Sequence, residues 1–167
     1  MAVAEIIGAA VGTLLLITVA YLLVGNVLAT SEIVVNAQKD LTSVNEIRLR
    51  TDITIESASI WDYGVDDLRV NFSVRNTGNE ILSDFEHTDV YTHYIGQDGY
   101  QHYTYDKENP DFEGKWAIQR FENDYIHPNE LDPGELMWCS AKYTPGNTPI
   151  IIQISTNNGV FASKQIS

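Results

Sequence analysis

The spacing of apolar and polar residues divides the chain into three stretches. From Ile6 to Ser31, IIGAAVGTLLLITVAYLLVGNVLATS runs for 26 positions without a charge, and about 20 apolar residues already cover the ~30 Å hydrocarbon layer of a membrane. Past it, Ile33, Ala37, Leu41 and Val44 recur every three or four residues, with Lys39, Asp40 and Asn45 between them. That pattern predicts one continuous helix to Val44 or Arg48. From Thr51 the period shortens to two. Ile53 and Ile55 alternate with Thr54 and Glu56, and helix gives way to strand.

The plainest strand is Leu68–Arg75. Leu68, Val70, Phe72 and Val74 face one side, and Arg69, Asn71, Ser73 and Arg75 the other. It stops at Asn76-Thr77-Gly78-Asn79, residue types that tolerate positive φ in turns. Further strands are predicted over 86–95 and 100–105, joined by Gly96-Gln97-Asp98-Gly99, and then over 115–121, 135–143, 150–155 and 160–165. Asn157-Asn158-Gly159 joins the last two, and Pro133-Gly134 and Pro145-Gly146 punctuate the loops between. The predicted fold is α+β. A long apolar helix over residues 1–48 precedes an antiparallel β-sandwich of about eight or nine strands over residues 51–167.

Charge sharpens this outline. The formal net charge is −13, and residues after position 50 carry 19 acidic and 7 basic side chains. So acidic a domain repels phosphate backbones, which excludes nucleic acid as a partner. No Lys or Arg precedes Lys39, and the apolar run exceeds the roughly 7–15 residues of a signal-peptide core, so the chain is expected to keep its helix. Lys39, Arg48 and Arg50 follow the run. By the positive-inside rule they place the domain on the cytoplasmic side. Cys139 is the single cysteine and can form no intrachain disulfide. With no base motif nearby, it is expected to pack as a small apolar group instead of acting as a nucleophile.

Several groups of residues carry possible chemistry. Gly8 and Gly12 form a G-x-x-x-G with Ala4 on the same helix face, which lets two backbones approach closely. Glu5, the only charge before Glu32, is either a solvated end residue or the partner of a neighbouring copy's N-terminal amine. On one continuous strand His87, Asp89, Tyr91 and His93 share a face, to which His102 and Tyr103 add, and these are zinc or copper ligand types. A face of paired polar and aromatic side chains is the plainer reading. In DKENPDFE, Asp106, Glu108, Asp111 and Glu113 offer oxygen ligands for calcium, without the D-x-[DN]-x-[DN]-G pattern of a dedicated loop. Asn71-Phe72-Ser73 is an N-glycosylation sequon on the outward face of its strand. No Walker loop, zinc-protease helix, nucleophile elbow or dinucleotide fingerprint occurs, so neither an enzyme nor a cofactor is expected.

The layout resembles the archaeal motility-filament (archaellum) proteins, in which a type IV pilin-like helix carries an extracellular β-sandwich. The resemblance lies in the uncharged helix, in TDITI at Thr51, in LRVNFSVRNTGNEIL from Leu68 to Leu82, in LDPGE from Leu131 to Glu135 and in STNNGVFAS from Ser155 to Ser163. Residues 91–121 match no motif of the family. RNTGNEIL and NNGVFAS are most similar to the accessory proteins FlaF and FlaG, which hold the motor against the envelope; the competing assignment is archaellin, the filament subunit. The resemblance implies that Glu5 pairs with a neighbour's amine during assembly. It also implies that the domain lies outside the cell, against the count of cations. The basic leader of the family is absent, so either the sequence is already processed with Met1 as a mature residue or the chain is an unprocessed anchor.

The length of the helix and its glycine face favour the filament subunit. The expected protein is a non-enzymatic component of an extracellular filament, inserted in the membrane before assembly, whose helices then bury one another. Its expected partners are further copies of itself and the archaellum motor and platform proteins. Two alternatives stand beside this: a FlaF/FlaG-like membrane-anchored stator or accessory protein contacting the envelope, and a membrane-anchored β-sandwich binding module.

Overall fold

A computed structural model describes residues 2–64, 67–94, 99–108, 112–144, 146 and 148–167. The chain divides into two units, Met1–Asn45 and Glu46–Ser167. Helix α1 spans Ala2–Arg50, 49 residues, or roughly 74 Å at 1.5 Å per residue. It runs two residues past the predicted end, and the first proline of the chain is Pro110, so nothing interrupts it. Its apolar side chains are spread round the whole circumference instead of forming one stripe, the distribution of a helix meant to be covered on all sides. The threonines do not spoil this surface. Thr13, Thr18 and Thr30 donate to the carbonyls of Ala9, Leu14 and Asn26 at 2.8, 2.8 and 2.9 Å, which satisfies their hydroxyls within the helix.

In the second unit the end of α1 is held by the domain's loops. Asn79 N–H donates to the Arg50 carbonyl at 2.7 Å, and Thr77 and Gly78 N–H both donate to Asp52 O at 3.0 Å. The terminal carbonyl that a helix leaves unpaired is thereby satisfied. The turn at 76–79 forms where predicted, but for a different reason. Neither Gly78 nor Asn79 has a positive φ. A Cβ on Gly78 would instead meet Asp52 N at 2.4 Å, so glycine is required by the close approach of backbone.

Among the described residues eight strands follow: β1 Ile53–Asp62, β2 Leu68–Asn76, β3 Asp89–Tyr94, β4 Tyr100–Tyr105, β5 Lys115–Glu122, β6 Leu136–Lys142, β7 Pro149–Ser155 and β8 Phe161–Gln165. Their order is β1-β2-β6-β5-β4-β3-β7-β8. The predicted sandwich is present as two antiparallel halves, β1-β2-β6-β5 and β4-β3-β7-β8, joined at a short seam. That seam departs from the all-antiparallel expectation: β4 and β5 pair in parallel through Thr104↔Lys115 and Tyr105↔Trp116. The connection returns to the start of the ladder, with Thr104 N–H on Gly114 O at 3.1 Å and Asp106 N–H on Trp116 O at 3.0 Å. At the far edges Ser167 N–H reaches Ala58 O at 3.2 Å, so the sheet nearly closes on itself.

The core lies inside this wrap. Val70, Phe72 and Val74 of β2 and Ala141 of β6 expose nothing, as do Val90, Tyr103, Trp116 and Ile152. Several polar groups in the core are paired, while the Trp116 indole Nε1 has no hydrogen-bond partner among the described residues. Thr92 Oγ1 and Tyr94 Oη lie 3.0 and 2.8 Å from the Tyr103 hydroxyl. Fully buried Asn76 donates to the carbonyls of Glu80 and Leu131 at 2.7 and 2.9 Å, tying the end of β2 to two loops. Strand β3 is shorter than its predicted 86–95. Glu86 and His87 form a turn, with Thr88 N–H on Phe85 O at 3.2 Å. The predicted hairpin residues Gly96, Gln97 and Asp98, with Ile95 and Pro145, lie outside the described residues.

Candidate functional site

Three of the predicted sites are resolved into their geometry. On α1 every described side chain from Val3 onward is exposed. A Cβ added to Gly8 or Gly12 would meet nothing within 4 Å, and Glu5 lies in the first turn. The face is therefore vacant and flat enough for close approach by another helix.

The predicted metal face does not come together as drawn. Because β3 begins at Asp89, His87 is off the strand and its Nδ1 sits 2.8 Å from Asp84 Oδ1. Asp89 and His93 do share a face, but each is engaged separately across the hairpin. His102 Nε2 lies 2.7 Å from Asp89 Oδ1, Tyr91 packs on His102 with ring centroids 5.0 Å apart, and His93 packs on Tyr100 at 5.4 Å. These are cross-strand pairs. In the acidic loop Asp106 takes the Glu108 N–H at 3.1 Å and lies 3.9 Å from Lys115 Nζ, while Glu113 takes the Thr144 hydroxyl at 3.3 Å. Asp111 lies outside the described residues. Among the described residues no three His, Cys, Asp or Glu side chains converge on one point.

Sequon residue Asn71 leads to a feature that the sequence pattern did not reveal. The outward residues of β1, β2, β6 and β5 form cross-strand rows set by the register. Ser59, Asn71, Ser140 and Ala117 make one row of small side chains. Trp61, Arg69 and Lys142 make the row on one side, and Ser57, Ser73, Trp138 and Arg120 the row on the other. Trp61 and Arg69 on one side and Trp138 and Arg120 on the other stand above the small side chains between them and bound a groove of about 700 Å³. Trp61 and Tyr63 stack at its rim, ring centroids 5.9 Å apart and planes 22° from parallel. Across from them the Arg120 guanidinium lies 5.0 Å above the Trp138 ring, a cation–π contact. Asn71 Nδ2 donates to the Tyr63 hydroxyl at 3.1 Å. The available signal was two of the three tryptophans standing at polar-face positions of their strands.

Cys139 is 2% exposed and faces the core, where burial pushes its thiol pKa well above the ordinary range. A thiol so held is a packing group.

No family model matches the chain. An uncharacterised protein of Archaeoglobus fulgidus is 26% identical to it over 162 residues, 97% of this chain and 94% of that one. Solved structures similar to the chain include three of archaellum proteins. The periplasmic stator protein FlaG of Sulfolobus acidocaldarius is similar at a TM-score of 0.47 and 21% identity, over 68% of this chain and 97% of that one. The FlaF–FlaG stator complex of the same organism gives 0.47 and 21%, over 67% and 85%. Archaeal flagellin FlaB1 of Methanocaldococcus jannaschii gives 0.48 and 8%, over 69% and 88%.

Proposed function

We propose that this chain is a non-enzymatic structural component of an archaellum-type apparatus, and within it a filament subunit that polymerises through α1. One observation carries the proposal: a helix apolar on all sides, uncovered from Val3 onward, with both glycines of its G-x-x-x-G facing open space. Fully burying a Val, Leu or Ile side chain contributes about 1.5–3 kcal/mol. Covering the residues from Val3 to Val44 with sister helices therefore holds a polymer together in water without covalent links, although transfer out of lipid, which is as apolar as the helix, gains little from that burial. The lipid bilayer holds the same surface before assembly, and the β domains form the outer layer, on which Asn71 carries a glycan. Contacts that repeat along a helical axis need no closed ring. Torque and nucleotide chemistry belong to the motor and platform proteins that such a filament engages.

A second reading, a membrane-anchored accessory protein of the FlaF/FlaG kind, is favoured by the same helix being long and apolar enough to cross a membrane once. Counting copies separates the two. A filament subunit is abundant in sheared surface filaments, and purified full-length protein forms helical polymers by negative-stain microscopy. Deletion of residues 1–30 abolishes those polymers. Confinement to the membrane fraction, with purified protein remaining as single micelle-bound chains, overturns the filament reading in favour of the anchor.

A further inference from the structure

We propose that the groove across the outer face of β1-β2-β6-β5 is a binding site for a neutral saccharide, whatever α1 assembles with. Its volume, about 700 Å³, falls in the range of small-ligand sites and is narrow for a protein partner, whose interfaces spread over roughly 800 Å² per side. The chemistry of its parts then selects the ligand. Along one rim the rings of Trp61 and Tyr63 stand 52% and 58% exposed, a flat apolar platform of the kind that covers the C–H face of a sugar ring. Trp61 is fixed in this pose because its Nε1 donates to Ser59 Oγ at 3.0 Å.

The floor is polar. Ser59, Asn71 and Ser140 lie side by side in one cross-strand row, and each hydroxyl or amide both donates and accepts. Ser140 lines the groove at 4% exposure, and its Oγ is buried beneath the surface without a hydrogen-bond partner among the described residues, so the polar groups within a ligand's reach are Ser59 and Asn71. The two arginines that line the groove are each paired with a carboxylate. Arg69 Nε lies 2.6 Å from Asp67, and an Arg120 amino group 3.3 Å from Glu122. Neither leaves a net charge to attract a phosphate or carboxylate, so the site favours a ligand of hydroxyls and C–H faces without charge.

That chemistry has two sources, an external polysaccharide or the glycan that the sequon at Asn71 would carry within the groove itself. The test uses the full-length chain made in a host without N-glycosylation, in an amine-oxide detergent, since sugar-headed detergents compete. Hexasaccharides of glucose, mannose and N-acetylglucosamine are titrated while tryptophan fluorescence and heat are followed. At least one saturates the protein, with affinity falling about tenfold or more in Trp61→Ala and largely retained in Trp61→Phe. Trp61 is half exposed, so both variants keep the native circular dichroism. Protein from a glycosylating host distinguishes the sources: an internal glycan blocks the hexasaccharides and Ser73→Ala, which breaks the sequon and leaves Asn71 in the groove floor, restores them, whereas an external ligand binds both forms. No binding at about 10 mM, binding unchanged in Trp61→Ala, or binding confined to sulfated or carboxylated saccharides overturns the proposal. A photo-crosslinker at position 63 that captures only protein overturns it in favour of a protein interface.

Discussion

Gly78 lies so close to Arg50 that a Cβ on it would stand 2.5 Å from the Arg50 carbonyl oxygen. The loop after β2 thus presses backbone to backbone on the end of the helix, and Asn79 N–H takes up that same carbonyl. The contact leaves no space for a methyl group. Gly78→Ala is expected to lower the stability of the domain by roughly 1–3 kcal/mol, the usual range for overpacking, read as a lower urea midpoint with an unchanged slope.

Gly8 and Gly12 pose the opposite case, since a side chain at either meets nothing within the isolated chain. Gly8→Leu with Gly12→Leu should leave the urea transition of the β domain where it is and abolish polymers by negative-stain microscopy and sedimentation. Unchanged polymers would show that this face is not buried between copies.

His127 Nδ1 lies 2.7 Å from Asp132 Oδ1, and the backbone N–H of His127 reaches the other carboxylate oxygen at 3.2 Å. The hydrogen bond to Asp132 raises the imidazole pKa above its ordinary value of 6.5, with the charges of Asp132, Glu130 and Glu135 adding to it. The folded protein then holds that proton more tightly than the unfolded chain. Its contribution is complete below the unfolded pKa and is lost as pH rises through the folded one. His87 is raised in the same way by Asp84. Urea midpoints should therefore decline from about pH 6.5 upward. His127→Gln should flatten part of that decline, and adding His87→Gln should flatten more.

Cys139 is buried, and its thiol is held protonated by that burial. An aqueous disulfide reagent at about pH 8, where a free thiol is partly ionised, should label the native chain only as fast as the domain opens. One thiol per chain should react at once in urea. Fast labelling of the native state would show that β6 frays.

The strands were legible where one face is core and the other water. Strand β4 falls at its predicted bounds, and β2 ends one residue later than predicted, because Leu68, Val70, Phe72 and Val74 alternate cleanly with polar residues. The pattern misled at His87, whose spacing to Asp89 continues the strand period although Asp84 holds it in a turn. It also could not separate the two uses of glycine: Gly134 and Gly159 do adopt positive φ, at 86° and 81°, whereas Gly78 is needed only for closeness. The groove was out of reach for another reason. Ser59, Asn71 and Ser140 become neighbours only through the register of three strands, and Ser57 opposes Ser73 only because the ladder shifts between Ile55 and Ser57.

Ser167 meets Ala58 across 109 positions of sequence, so the first strand is sealed by residues translated long after it. During synthesis the greasy rod emerges early, while the wrap behind it stands open until its far edge arrives. Long-range closures of this kind are slow. The apolar rod of a newborn chain is therefore made, and in need of a cover, well before its β domain can shut.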